Sequence, residues 1–334
     1  MLSYIIKRLL WAIPTLLGVS ALVFSMVHMA PGDPALVMLG EHASKESVEA
    51  LREQMGLNKP LLDQYFMFVT NAIQGDFGIS TTSGEPVMDE FMERFPATVE
   101  LALFAMFFAV IAGLFAGIIS AVKRYSIFDY AAMSTALAGV SMPVFWLGLM
   151  LIYFFSVELG WLPVSGRLGY EFDIDEVTGL FLIDSILMDD YDAFWDALKH
   201  LILPAIALGT IPMAIIARMT RASMIEVLKE EYIRTAKAKG CTKMQVIMTH
   251  ALKNALLPVL TVIGLMVGTL FAGAILTETT FSWPGIGKWL INAVNQRDFP
   301  IIQSTTLIIA SMFVIVNLVV DVLYAVVNPR IRLS

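Results

Sequence analysis

The segment LALFAMFFAVIAGLFAGIISAV, residues 101–122, contains no Asp, Glu, Lys or Arg. A helix needs about 20 apolar residues to cross the hydrocarbon layer of a bilayer, so this segment is long enough to span. Four more stretches share both properties: 9–29, 131–157, 255–277 and 299–320. A sixth stretch, 201–217, contains two prolines, and its flanking residues extend it. Backbone groups in lipid must be paired within their own segment, so we expect six transmembrane helices in an all-α polytopic membrane protein.

The composition agrees with a membrane protein. The 334 residues are 57% hydrophobic and 15% charged, with a mean hydropathy of +0.74. Soluble domains are about a quarter charged, so the composition argues against a water-soluble globular enzyme. The single cysteine, Cys241, excludes an internal disulfide and a cysteine-based metal site. A net charge of -7 argues against a nucleic-acid partner.

The basic residues predict the orientation, because Lys and Arg concentrate on the cytoplasmic side of membrane proteins. With a cytoplasmic N-terminus, the inner segments contain 14 of the 22 basic residues and four acidic ones, a net charge of +10. The rest of the chain then has a net charge of -17. We therefore predict a multi-pass protein of the cytoplasmic (inner) membrane with both termini in the cytoplasm. The run 9–29 is interpreted as a membrane helix because it exceeds the apolar core of a signal peptide and lacks a cleavage site.

This topology divides the chain into three parts. Residues 1–29 form the N-terminus and first membrane helix, 30–97 an external cap, and 98–334 the transmembrane core. Within the core the predicted membrane helices are 101–122, 131–157, 198–220, 255–277 and 299–327. In the cap, Ser44–Met55 and Leu61–Ile73 have helical patterns, with Ser44 as a cap.

A second external segment, 158–198, is strongly acidic. Its acidic residues include Glu171, Asp173, Asp175, Glu176, Asp184, Asp189, Asp190, Asp192 and Asp196. Such a segment is either a solvated loop or a surface that attracts a basic partner or a substrate amine. The first interpretation is favoured.

The inner segment 221–253, called here the basic connection, predicts two short helices. Gly240 suits the left-handed position that follows a helix end. Thr242 and Gln245 then have the spacing of a capping box, and a helix from Lys243 to about Lys253 would present Met244, Ile247 and Met248 on one side. This helix could lie on lipid headgroups or fill a groove in a soluble partner.

The residues of the basic connection are similar to those of a known family. EYIRTAKAKG at 231–240, followed by HALKNALLP at 250–258, resembles the cytoplasmic "EAA" loop of ABC importer permeases of the peptide/nickel type. Similar motifs extend over nearly the whole chain. They include IPTLLGVS at 13–20, PGDP at 31–34, GLNKPL at 56–61, GDFGIS at 75–80, TETTFSWPGIG at 277–287 and VNPRIR at 327–332. The runs MPVFW at 142–146 and PVSGR at 163–167 are most similar to dipeptide permeases. The generic Glu-Ala-Ala is replaced by Arg234-Thr235-Ala236, a departure that peptide-type permeases share.

This resemblance implies the type I permease fold of six helices and one half of a pore. Its partners would be a second homologous permease subunit, two cytoplasmic ATPase subunits and an external peptide-binding protein. ATP and Mg would belong to the ATPase subunits, since the sequence has no G-x-x-x-x-G-K-[ST] phosphate loop. No catalytic residue, resident cofactor or metal site is expected in this chain. The residues implied in ATPase coupling are Glu231, Arg234, Thr235, Ala236, Lys237, Ala238, Lys239, Gly240, Thr242 and Gln245.

Three residues are candidates for a gate or a substrate pathway. Asn317 and Asp321 are four residues apart on one face of the last helix, and an acid within a membrane helix is a functional candidate. Structural pairing between helices is the other interpretation. Glu278, before the Trp283-Pro284-Gly285 break, either caps a turn or lies at an outer gate. The glycine pairs Gly113/Gly117 and Gly264/Gly268 are attributed mainly to close helix packing.

Other functions are weakly supported by the sequence. A secondary transporter needs coupling charges near the bilayer midplane, and a membrane enzyme needs a nucleophile with a base or metal ligands. The four scattered histidines form no ligand cluster. Within the resembled family, dipeptides, longer peptides, glutathione and nickel complexes all remain possible substrates.

Overall fold

The computed structural model describes residues 2–29, 33–40, 43–54 and 56–327. Within these ranges the regular structure is helical, without a named strand, as the all-α prediction requires. The helices are α1 (Leu2–Met29), α2 (Pro34–Leu39), α3 (Lys45–Gln54), α4 (Leu61–Ile73), α5 (Val87–Val122), α6 (Ile127–Ser141), α7 (Val144–Leu151, with a π-helical continuation Ile152–Glu158), α8 (Phe181–Leu187), α9 (Tyr191–Val227), α10 (Glu231–Ala238), α11 (Lys243–Gln245, continuing as a π-helix Val246–Leu252), α12 (Lys253–Thr280), α13 (Ile286–Gln296) and α14 (Phe299–Val327).

Five helical segments of the described residues are long and apolar enough to cross a membrane. They are Arg8–Met29, Val87–Val122, Tyr191–Val227, Lys243–Phe271 and Phe299–Val320. A sixth span results only if α6 and α7 count together, and these two helices meet at a bend of 110°.

The prediction of one unbroken helix over 131–157 is therefore wrong. The helix stops at Ser141, and Met142 has extended backbone angles (φ -90°, ψ 136°) before Pro143. The proline ring clashes with a helical conformation of the preceding residue and supplies no N–H donor. The apolar composition did not reveal this break, because both halves are apolar.

The helices flanking the basic connection are longer than predicted. The fourth predicted span, 198–220, is a helix of 37 residues, and Asp190 caps it by accepting a hydrogen bond from Ala193 N at 2.9 Å. The helix expected at 243–253 is not separate from the next span, since helical structure continues from Lys243 to Thr280. No helix-ending residue interrupts the chain there.

The chain forms two compact units, which are described separately. The first unit contains Met1–Pro96 and Gly285–Val322. Its apolar core joins the beginning of α5 to α13 and α14 through Phe91, Trp289 and Ile301. The buried Asp298 accepts hydrogen bonds from Ser80 Oγ at 2.7 Å and Thr82 N at 2.9 Å. These bonds fix the turn that precedes α5.

The external cap predictions concern this first unit. The helix α4 has the predicted bounds. The helix α3 is one residue shorter at its beginning than the predicted range, and Ser44 Oγ accepts from Ser47 N at 3.1 Å, as a cap does. The motif residues Pro31 and Gly32, and residues 328–332, lie outside the described part of the chain.

The second unit contains Ala97–Pro284, and α9 runs through its centre. Small residues allow helix α5 to lie directly on α9. A Cβ atom on Gly113 would lie 2.8 Å from Met213 O, and one on Gly117 would lie 2.6 Å from Ala217 O. The packing interpretation of this glycine pair therefore agrees with the structure.

Candidate functional site

The basic connection turns sharply after α10. Gly240 has a φ of +81°, a left-handed conformation that L side chains rarely adopt. Cys241 N donates to Ala236 O at 3.2 Å, and Gly240 N donates to Lys237 O at 3.0 Å. These bonds satisfy carbonyls at the end of α10 and fix the direction in which the chain leaves it.

The capping box predicted after this turn is present. Gln245 N donates to Thr242 Oγ1 at 3.3 Å, and Thr242 N donates to Gln245 Oε1 at 2.9 Å. The two residues therefore satisfy each other's backbone donors at the start of the second helix. The turn is thus defined on both sides by local hydrogen bonds.

One face of the basic connection packs against the membrane helices. Ile233 is fully buried and Ala236 nearly so, in an apolar cluster with Met224 of α9 and Ala121 of α5. Tyr232 strengthens this attachment, because its hydroxyl accepts a hydrogen bond from Asn254 Nδ2 at 2.7 Å. The helix α10 is therefore attached to α5 and α9 by buried apolar contacts.

The opposite face is exposed. Met244 is 68% exposed and Met248 46%, one helical turn apart. The neighbouring Lys237 and Lys239 are also exposed. An exposed apolar pair on a basic segment is a surface suited to a groove in a partner protein.

The remaining predicted coupling residues lie mostly on this exposed face. The ion pair of Arg234 with Glu231, at 2.9 Å, is solvent-exposed and contributes little to stability. Thr235 Oγ1 donates to Glu231 O at 3.1 Å. Ala238 is exposed, whereas Ala236 faces the interior. Of the predicted coupling residues, Ala236 therefore anchors α10 in the interior, while most of the others lie on the surface.

A buried polar network near this site was missed by the sequence analysis. Asp129, at the beginning of α6, is 2% exposed and receives two hydrogen bonds from the Arg221 guanidinium. Ser120 Oγ and Tyr125 N also donate to this carboxylate. Because Asp129 and Arg221 are 92 residues apart, no local sequence signal joins them.

The gate candidates belong to two units: Glu278 to the second, and Asn317 and Asp321 to the first. Glu278 is fully buried and accepts from Thr98 Oγ1 at 2.6 Å, a contact that fits a structural role within the second unit. Asn317 is partly buried on α14. The side chain of Asp321 lies outside the described residues.

The acidic segment 158–198 contains both buried and exposed acidic residues. Asp184 is fully buried and accepts from Thr178 and Gly179, while Asp196 accepts from Gly169 N at 2.6 Å. A second buried pair attaches the segment to α5, since Arg167 Nη2 donates to Glu100 Oε2 at 2.6 Å. The remaining acids are exposed or cap helices: Glu171, Asp173, Asp175, Glu176, Asp189, Asp190 and Asp192.

Two family models match almost the whole chain. The model of the binding-protein-dependent transport system inner membrane component matches residues 113–333. The model of the N-terminal part of such membrane components matches residues 1–102. The chain therefore belongs to the family of inner membrane components of binding-protein-dependent transport systems, which confirms the family resemblance.

Curated relatives are similar over their full length. The di/tripeptide transport system permease protein DppB of Pseudomonas aeruginosa is 56% identical, over 99% of each chain. The dipeptide transport system permease protein DppB of Escherichia coli K12 is 54% identical, also over 99% of each. The glutathione transport system permease protein GsiC of the same strain is 46% identical over 99% of each.

Among solved structures, the inward-facing MetNI methionine ABC transporter aligns with 70% of this chain and 93% of its own. The sequence identity is 18% and the TM-score 0.49. An amino acid ABC transporter solved with histidines covers 73% of this chain and 95% of its own, at 16% identity and a TM-score of 0.48.

Proposed function

We propose that this chain is a permease subunit that imports dipeptides across the cytoplasmic membrane in an ATP-driven ABC transporter. The observation that carries the proposal is the 52–56% identity to dipeptide and di/tripeptide permeases over essentially the whole chain. A glutathione permease is 46% identical, which makes glutathione the second candidate substrate. The chain itself would be a transport subunit and not an enzyme, with no cofactor of its own.

The proposed complex contains a second homologous permease, two ATPase subunits with ATP and Mg, and an external peptide-binding protein. Both termini and the basic connection would face the cytoplasm. ATP binding would close the ATPase dimer and carry the basic connection with it. Because Ile233 and Ala236 pack on Met224 and Ala121, this movement would reach the ends of α5 and α9 and switch the pore between inward-open and outward-open states.

The substrate is tested with the purified complex reconstituted in liposomes. A binding protein loaded with dipeptide should stimulate ATP hydrolysis and ATP-dependent uptake. Stimulation by glutathione, nickel complexes or longer peptides, without stimulation by dipeptide, would reassign the substrate. Uptake driven by an ion gradient without ATP would refute the importer mechanism.

The partner surface is tested with Met244→Glu. A carboxylate placed in an apolar groove loses its hydration without a partner, so the ATPase subunits should no longer co-purify with the permease. Met92→Glu is the matched control, since Met92 is 56% exposed and lies in the predicted external cap. Equal ATPase recovery with Met244→Glu and with Met92→Glu would contradict the docking role.

A further inference from the structure

The helix α6 packs against α9, and its one buried charged residue lies in its first turn. It has 15 residues of apolar composition, yet only Asp129 and Ala136 are buried. Apolar side chains that face lipid contribute no hydrophobic driving force for packing, so contacts between helices depend on close fit and polar bonds. The bonds of Asp129 therefore restrain the beginning of α6, while Gly139 lies close to Thr210 of α9 near the end of α6.

The geometry of this restraint is specific. Arg221 of α9 donates from Nε to Asp129 Oδ1 at 2.7 Å and from Nη2 to Oδ2 at 2.8 Å. Such a two-bond contact fixes orientation as well as distance. Arg221 also donates to Ser120 Oγ at 3.0 Å, so the network connects α5, α6 and α9.

The same two helices hold α10. Met224 is one turn beyond Arg221 on α9, and Ala121 follows Ser120 on α5. Both Met224 and Ala121 belong to the cluster that buries Ile233 and Ala236 of α10. The residues that contact α10 are thus within one helical turn of Arg221 and Ser120, which bind Asp129. A displacement of α10 would therefore act on α5 and α9 close to Asp129.

The helix α6 leads directly into the 110° bend before α7. We propose that the Asp129–Arg221 pair is the joint that transmits movement of the basic connection to the broken helix pair α6–α7. This proposal rests on the proposed ATP-driven import. Asp129 and Arg221 act in it as positioning residues and contact no substrate.

The first test is Asp129→Asn in the complete reconstituted transporter. Asparagine has the same shape and keeps one acceptor oxygen, but it loses the charge and the two-oxygen contact with Arg221. Coupling between sites is typically worth about 5- to 150-fold, so we expect peptide imported per ATP hydrolysed to fall at least about fivefold. ATP hydrolysis and the amount of assembled complex should persist.

Glu100→Gln is the matched control. Glu100 and Arg167 form a second buried pair in the same unit, with contacts of 3.0 and 2.6 Å. This substitution should lower the unfolding temperature without changing the peptide-to-ATP ratio. An equal fall in that ratio for Glu100→Gln and Asp129→Asn would indicate general destabilisation and overturn the proposal.

A double-mutant cycle tests the pair itself. If the two residues act through their mutual bond, Asp129→Asn combined with Arg221→Gln should lower the ratio no further than either single change. The double variant has neither charge of the pair. It can therefore be measured in place of Asp129→Asn if that single variant does not assemble. A normal ratio of peptide imported to ATP hydrolysed in the double variant would overturn the proposal that the Asp129–Arg221 pair transmits the movement. Absence of ATP-dependent uptake in the unaltered complex would instead refute the proposed function.

Discussion

Single residues determine how the basic connection turns after α10. Gly240 provides the left-handed turn, and Thr242 with Gln245 caps the helix that follows. All three roles depend on backbone conformation and neighbours a few residues away. They are therefore visible in the sequence, and the structure has the turn and the cap at the predicted positions.

A prediction at this scale concerns Gly240→Val. No atom lies within 4 Å of a Cβ placed at this position, so any effect comes from the backbone. An L residue in the left-handed conformation costs about 1–2 kcal/mol, and we expect the turn to change direction. The variant should reach the membrane but hydrolyse ATP without importing peptide, as measured by uptake and ATPase assays on the same liposomes.

Gly240→Asn is the control for this prediction. Asparagine adopts the left-handed conformation more readily than other residues with a side chain. It should therefore retain most of the uptake that valine abolishes. Normal peptide uptake by Gly240→Val would contradict the coupling role of the turn.

At the scale of helices, close contact between backbones decides the packing of the second unit. Gly117 of α5 faces Ala217 and Thr220 of α9, and Gly209 of α9 faces Ala105 of α5. A Cβ on Gly209 would lie 2.6 Å from Ala105 O. The two helices therefore approach each other at several glycines, and a larger side chain at these positions would clash with the facing helix.

Gly117→Ala tests this packing. The added Cβ would lie 2.6 Å from both Ala217 O and Thr220 Cβ. Overpacking of this kind costs about 1–3 kcal/mol, so the unfolding temperature in detergent should fall. Gly18→Ala is the control, because no atom lies within 4 Å of that position on α1. A fall of equal size in both variants would show that the contact with α9 is unimportant.

At the scale of the whole molecule, the unequal distribution of charge predicts the orientation in the membrane. The predicted inner segments have a net charge of +10 and the remainder -17. The basic connection contains half of the 14 predicted inner basic residues, and the acidic segment 158–198 contains many of the predicted outer acids. This asymmetry predicts opposite sides of the membrane for Lys239 and Asp175, both of which are exposed.

Cysteine labelling tests the orientation. In a Cys241→Ser background, Asp175→Cys should react with a membrane-impermeant maleimide in spheroplasts, which expose the outer face of the inner membrane. Lys239→Cys should react only after this membrane is permeabilised. The reverse pattern would place the basic connection outside and would contradict contact with cytoplasmic ATPase subunits.

The sequence by itself determined the helical class, most membrane spans and the turn at Gly240, because these depend on local composition and short spacing. It did not reveal the break at Pro143, since both flanking segments are apolar. Nor did it reveal the Asp129–Arg221 and Glu100–Arg167 pairs. The partner of a buried charge depends on which helices lie side by side. Only the tertiary structure determines this arrangement of helices.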